Sequence, residues 1–204
     1  MSLPSLTSDP VLAAVDLRQG PAATALLTEV LARCAQHGSG GVAVFDLDST
    51  LLDNKPRQAK IMAEYGEAHG VTALAQMRAE HWDGWDFRKA MRNAGLAEAE
   101  LEPHVEPYRE LWRQRFFTSE YCEVDEAIAG AAAFTQAVQA TGTKVLYVTG
   151  RHEGMRNGSA VQLWMKPQLD EDDDQFKAQV HARLPGEGTV VAAFDNEPTH
   201  INDY

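Results

Sequence analysis

Residues 41–54 read GVAVFDLDSTLLDN. GVAVFDLD, 41–48, reads as a short strand, its GVAVF apolar or glycine throughout, the pattern of a strand buried on both faces, as in a parallel sheet covered by helices. Asp46 and Asp48 follow at once, with Asp53 a little further on. Carboxylates are costly to bury, so a strand that ends in two of them calls for a reason at its C-terminal rim.

Two later segments repeat the pattern, KVLYVTG at 144–150 and TVVAAFD at 189–195, each apolar and β-branched with polar residues at its end. In open α/β sheets ligands bind outside the carboxyl ends of the strands, so these polar ends are expected to meet on one rim. Residues 22–37 carry Leu26, Leu27, Val30, Leu31 and Cys34 at helical spacing, and glycines 38, 40 and 41 end that helix. DEAIAGAAAFTQAVQATG predicts a helix leading into the second strand, and DQFKAQVHARL a helix over about 174–184. EDDD at 171–174 reads as a solvated helix N-terminus favoured by the dipole. From about 56 to 125 only helical patterns appear, broken by Gly70, Gly84, Gly95, Pro103 and Pro107, and a segment that long is better read as an inserted helical domain than as a loop. The expected fold is therefore α/β, a three-layer Rossmann-like core with a mostly parallel sheet over residues 1–54 and 126–204, carrying an α-helical cap domain over 55–125.

Composition narrows the function. The 204 residues are 44% hydrophobic, enough for one substantial core with a smaller insert, and 30 acidic against 18 basic residues give a formal charge of −12. A polyanion is repelled on average, which argues against nucleic acid and anionic membranes as partners while leaving local capture of a small anion open. Cys34 and Cys122 have no metal-ligand spacing and read as packed thiols in a reducing compartment, and no signal peptide or long apolar run is seen, so a cytoplasmic protein is expected.

Asp46 and Asp48 lie two apart in extended chain and point roughly the same way. One carboxylate can attack phosphorus, since an acyl phosphate is easily hydrolysed afterwards, while the other handles protons. Two anions beside a phosphate dianion repel, so the reading requires a cation, and magnesium suits an oxygen-rich site. At the other strand ends, Thr149 and Gly150 offer a hydroxyl and a flexible backbone to phosphoryl oxygens, Lys166 in LWMKP offers positive charge, and Asp195 in FDNEP offers a second metal carboxylate. Arg151 and His152 follow Thr149 closely enough to touch substrate, the cap-base residues Asn54, Lys55 and Arg57 read as substrate sensors or as hinge residues only, and Trp82, Trp85 and Phe87 of the cap read as pocket lining or, more commonly at this spacing, as core.

Taken together these motifs resemble the haloacid dehalogenase superfamily of aspartate-nucleophile phosphohydrolases over roughly residues 41–204. DLDST matches the family's first motif, Asp-x-Asp-x-Thr, Thr149 in YVTGR its second, Lys166 its third and Asp195 its fourth. The resemblance implies that Asp46 becomes the aspartyl phosphate and holds Mg2+, and that Asp48 serves as acid then base with its main-chain carbonyl on the metal. It implies further that Thr149 and Lys166 hold the phosphoryl group and that Asp195 completes the metal site. Asp at 48 favours phosphoryl transfer over carbon–halogen hydrolysis, which needs no general acid there.

The fourth motif departs from the family, which often has a second acid after the first. Here Asn196 follows Asp195, so either Asn196 orients a metal-bound water or Glu197 takes the acid's place. The expectation is a magnesium-dependent phosphatase for a small phosphorylated metabolite, working as a monomer or weak homodimer. A phosphomutase, a haloacid-type hydrolase of the same fold and a non-catalytic binding module are the alternatives.

Overall fold

The structure, a computed structural model, describes residues 21–158 and 163–201. The chain divides into two compact units, one of Met1–Leu52, Ala127–Glu153 and Val161–Tyr204, the other of Asp53–Glu126 with Gly154–Ala160. The Pro4 and Pro10 end of the chain lies outside the described residues.

With elements numbered along the chain, the first unit holds α1 (Pro21–His37), β1 (Gly41–Phe45), α7 (Ala131–Ala140), β4 (Lys144–His152), β5 (Leu163–Lys166), α8 (Asp173–Arg183), β6 (Thr189–Phe194) and a short α9 (Pro198–Ile201). The four strands form one sheet in the order β5-β4-β1-β6, and every pairing is parallel. β1 is buried along its whole length, as its unbroken apolar sequence requires of a strand with a neighbour on each edge and helices on each face. Ala43 and Phe45 face α1 and α7, packing with Leu31, Cys34, Phe134 and Val138. Val42 and Val44 face α8, packing with Phe176, Val180 and Leu184. This is the three-layer α/β fold that the strand patterns predict. Each such fully buried aliphatic or aromatic side chain contributes about 1.5–3 kcal/mol relative to exposure.

Local differences have physical causes. β5 was not foreseen, because four residues, LWMK, carry too short a period to separate from loop. β1 ends at Phe45 rather than at Asp48, because the chain enters a tight turn that begins at Leu47. α7 begins only after Gly130, whose φ of 88° breaks the helix, and of its expected first residues Glu126 and Ala127 form a short strand instead. Leu26, placed on the apolar side of the first helix by spacing, is 59% exposed.

The second unit is helical: α2 (Lys55–His69), α3 (Thr72–Ala75), α4 (Phe87–Asn93), α5 (Glu98–Phe116) and α6 (Ser119–Cys122). Ile61, Met62, Tyr65, Leu74, Met91, Leu101, Val105 and Tyr108 form its core. Gly70 ends α2 with a left-handed φ of 68°, as a glycine C-cap does. The prolines do not break the chain as expected: α5 runs through both Pro103 and Pro107. Each removes an internal N–H, and the apolar stripe of Leu101, Val105 and Tyr108, all buried, offsets the loss. Arg57 is not a hinge or a substrate sensor but a core residue. Fully buried, it donates to Phe116 O (2.9 Å), sits 3.9 Å over the Phe116 ring and lies 3.0 Å from Asp125 Oδ1, close enough to pair charges. β2 (Leu52–Asp53) and β3 (Glu126–Ala127) pair in a two-stranded ribbon where the chain passes between the units. No helix among the described residues is long and apolar enough to cross a membrane.

Candidate active site

Period-two alternation along β1 puts position 46 on the same side as Val42 and Val44, the side covered by α8. Asp46 continues the ladder by donating its N–H to Phe194 O (2.9 Å), which sets Asp46 beside Asp195, the residue after Phe194. Both carboxylates are enclosed, with side chains 6% and 1% exposed. Neither is left with bare charge. Lys177 of α8 donates from Nζ to Asp46 Oδ1 (3.1 Å) and to Asp195 Oδ2 (2.5 Å).

Lys177, rather than Lys166, is thus the cation beside the proposed nucleophile. Lys166 is also buried, but its Nζ donates to the carbonyls of Leu169 (3.3 Å) and Glu171 (2.8 Å) and pairs with Asp173 (2.5 Å). The sequence carried a signal for Lys177: it falls on the apolar stripe of α8 at helical spacing from Val180 and Leu184, a place where a solvated lysine does not belong. His200 was also missed. It is 8% exposed, with Nδ1 3.1 Å from Lys177 Nζ and Nε2 2.8 Å from Asp174 Oδ1. The acidic run before α8 is accordingly more than a solvated face: Asp172 caps the helix by accepting from Gln175 N–H (3.0 Å), Asp173 meets Lys166 and Asp174 meets His200.

Asp48 lies within a tight turn in which Leu47 O accepts from the N–H groups of Thr50, Leu51 and Leu52 and Ser49 adopts a φ of 64°. A non-glycine residue there costs of order 1–3 kcal/mol, strain that the turn's hydrogen bonds sustain. The turn presents the Asp48 side chain to Arg151, whose guanidinium grips both carboxylate oxygens (Nε–Oδ2 2.8 Å, Nη2–Oδ1 2.9 Å). Thr149 is buried two residues beyond Tyr147, the register partner of Phe45, and its Oγ1 accepts from Arg151 N–H (3.2 Å). Gly150 gives close approach: a Cβ there would lie 2.6 Å from Asp173 Oδ2. Asn196 and Glu197 are both exposed. The Asn196 amide donates to Glu197 Oε1 (3.2 Å), and Glu197 N–H donates to Asp195 Oδ1 (2.9 Å). A cleft of about 440 Å3 adjoins this loop, lined in part by Val30, Arg33, Thr50, Val191, Asp195 and Asn196.

The charges do not balance. Asp46, Asp48 and Asp195 stand against Lys177 and Arg151, and the surplus shows at Asp46. Burial, opposed by Lys177 and reinforced by Asp195 and Asp48, pushes the Asp46 carboxyl up to about 7. Burial works against the Lys177 charge, but Asp46 and Asp195 outweigh it and hold the ammonium above its ordinary value. Among the described residues no three His, Cys, Asp or Glu side chains gather as a metal shell. What converges is two carboxylates with a net negative excess, a donor set of the kind a hard divalent ion takes when carbonyl and water oxygens complete it. No protein-family model matches the chain, and no curated protein is similar to it at a significant level.

Proposed function

We propose that the chain is a magnesium-dependent phosphatase of the aspartate-nucleophile type, acting on a small phosphorylated molecule. One observation carries the reading. Asp46 is a buried carboxylate at the carboxyl end of the central strand with Oδ1 held by Lys177, while Oδ2 receives no hydrogen bond from any described residue. A carboxylate fixed by one oxygen, with its proton affinity raised by burial, is a positioned nucleophile.

Asp46 Oδ2 attacks phosphorus as the bond from phosphorus to the leaving oxygen breaks, and Asp48 supplies the proton that the leaving oxygen takes. Asp48 then removes a proton from the water that cleaves the acyl phosphate. At rest the Arg151 fork engages both Asp48 oxygens as acceptors; an arriving phosphoryl group offers the guanidinium competing oxygens and frees Asp48 to take from solvent the proton that it passes to the leaving oxygen. Mg2+, held by the Asp46 and Asp195 carboxylates and the Asp48 main-chain carbonyl, would supply the positive charge that offsets the surplus. The buried Thr149 hydroxyl lies on the neighbouring strand as a donor for a phosphoryl oxygen. A net charge of −12 repels a polyanion more strongly than a small anion.

The test is turnover of an aryl phosphate and a panel of phosphorylated metabolites, with Mg2+ and with chelator. Turnover that needs Mg2+ and disappears in Asp46→Asn is expected. Failure on every substrate, or activity indifferent to chelator, sinks the reading.

A further inference from the structure

An ammonium has three N–H bonds and no lone pair, so it donates and never accepts. Lys177 has three acceptors around it: Asp46 Oδ1 at 3.1 Å, Asp195 Oδ2 at 2.5 Å and His200 Nδ1 at 3.1 Å. All three protons are therefore spoken for inside the protein. A lysine so engaged contributes charge to a transferring phosphoryl group, but it donates to one only by giving up a partner.

The contact also fixes the histidine. Because Lys177 only donates, Nδ1 of His200 must be bare and accept. The proton then sits on Nε2, where it is donated to Asp174 Oδ1 at 2.8 Å. The 3.4 Å approach of Nδ1 to Asp195 Oδ1 is then a contact between two acceptors and carries no proton. The imidazole side chain is 10% exposed and is held at both nitrogens, so its ring cannot turn to exchange them without losing both bonds.

We infer that His200 is a positioning residue for the proposed phosphoryl transfer, accepting the third Lys177 proton through Nδ1 and so locking the ammonium across Asp46 and Asp195. The role rests on the phosphatase reading; the hydrogen bond that performs it does not. Without the acceptor at Nδ1, one Lys177 proton is left buried and unpaired, and the ammonium is free to lean toward either carboxylate. Asp46 Oδ1 then loses its fixed partner, and with it the aim of Oδ2.

The geometry distinguishes substitutions that look alike. The Oδ1 of asparagine stands where Nδ1 does, whereas glutamine reaches toward Nε2. His200→Asn is therefore expected to keep kcat close to the parent, while His200→Gln and His200→Ala lower kcat by about 10- to 100-fold with KM little changed. Gln and Ala also leave a buried donor unpaired and are expected to melt below Asn, so kcat is compared well below every melting temperature, on protein that circular dichroism shows to be folded. If Asn is as impaired as Ala, or if folded Gln and Ala turn over like the parent, the inference is overturned.

A second arm needs no turnover. Imidazole 15N resonances of the full chain are expected to show His200 with Nε2 protonated and Nδ1 bare, and the Lys177 ammonium signal, slowed in exchange, is expected to vanish in His200→Ala and persist in His200→Asn. A protonated Nδ1, or a Lys177 signal indifferent to both changes, refutes the contact. Should the parent hydrolyse no phosphate ester, the phosphatase reading falls and the positioning role with it, while the resonances still decide whether His200 holds Lys177.

Discussion

At the scale of single residues, Asp46 carries a pH dependence with a defined sign. Its carboxyl is raised to about 7, so between pH 4 and 7 the folded chain keeps a proton that the unfolded chain releases. Stability from this group is full below the ordinary carboxylate range and is lost as pH rises through about 7. Asp46→Asn removes the titration. In metal-free protein the melting temperature of the parent is expected to fall relative to Asp46→Asn from pH 5 to pH 8, and a constant difference would contradict the burial argument. The same scale shows what a sequence discloses. Asp46, Asp48 and Asp195 were legible because a carboxylate at the end of an apolar strand is anomalous. Lys177 was not, because a lysine in a helix ordinarily reaches water; its place in the Val180–Leu184 stripe was the anomaly, and it shows only when the helix is turned face-on. Lys166 drew attention by standing at the end of an apolar run, yet Asp173 and two carbonyls engage it.

Elements add constraints that no residue type announces. β1, β4 and β6 were legible because their apolar runs exceed any loop's tolerance for buried side chains, whereas β5 owes its strand state to the pairing of Tyr147 with Leu163 and Val148 with Trp164, a tertiary fact. α5 tells the same story in reverse, since local rules break it at Pro103 and Pro107 while its buried face carries it through. α2 and α3 depend on Gly66 in a way the sequence hides. A Cβ at position 66 would lie 2.1 Å from Ala75 N and 2.4 Å from Leu74 C, both main-chain atoms that cannot swing aside. Gly66→Ala is expected to destabilise the helical unit by about 1–3 kcal/mol in chemical denaturation, despite the gain in helix propensity. Gly40→Ala, where a Cβ meets nothing within 4 Å, is the control and is expected to be near neutral. Equal effects at the two sites would show that the helices can yield.

For the whole molecule, the decisive feature is that the sheet is assembled from distant pieces of chain while Asp53–Glu126 is nearly continuous. β1 must find β4 across about a hundred residues and β6 across more, and closing loops of that size is slow. The tryptophans separate the two events: Trp82, Trp85 and Trp112 belong to the helical unit, and Trp164 belongs to β5. Refolding followed by fluorescence is expected to show a faster phase that survives Trp164→Phe and a slower one that loses amplitude in that variant. A single phase common to all four would mean that the units fold as one. The same ordering governs synthesis. A ribosome delivers Asp46 and Asp48, then the whole helical unit, and only afterwards Lys177 and Asp195. While the helical unit is being made the nascent chain therefore carries an acidic strand end whose cation has yet to be synthesised.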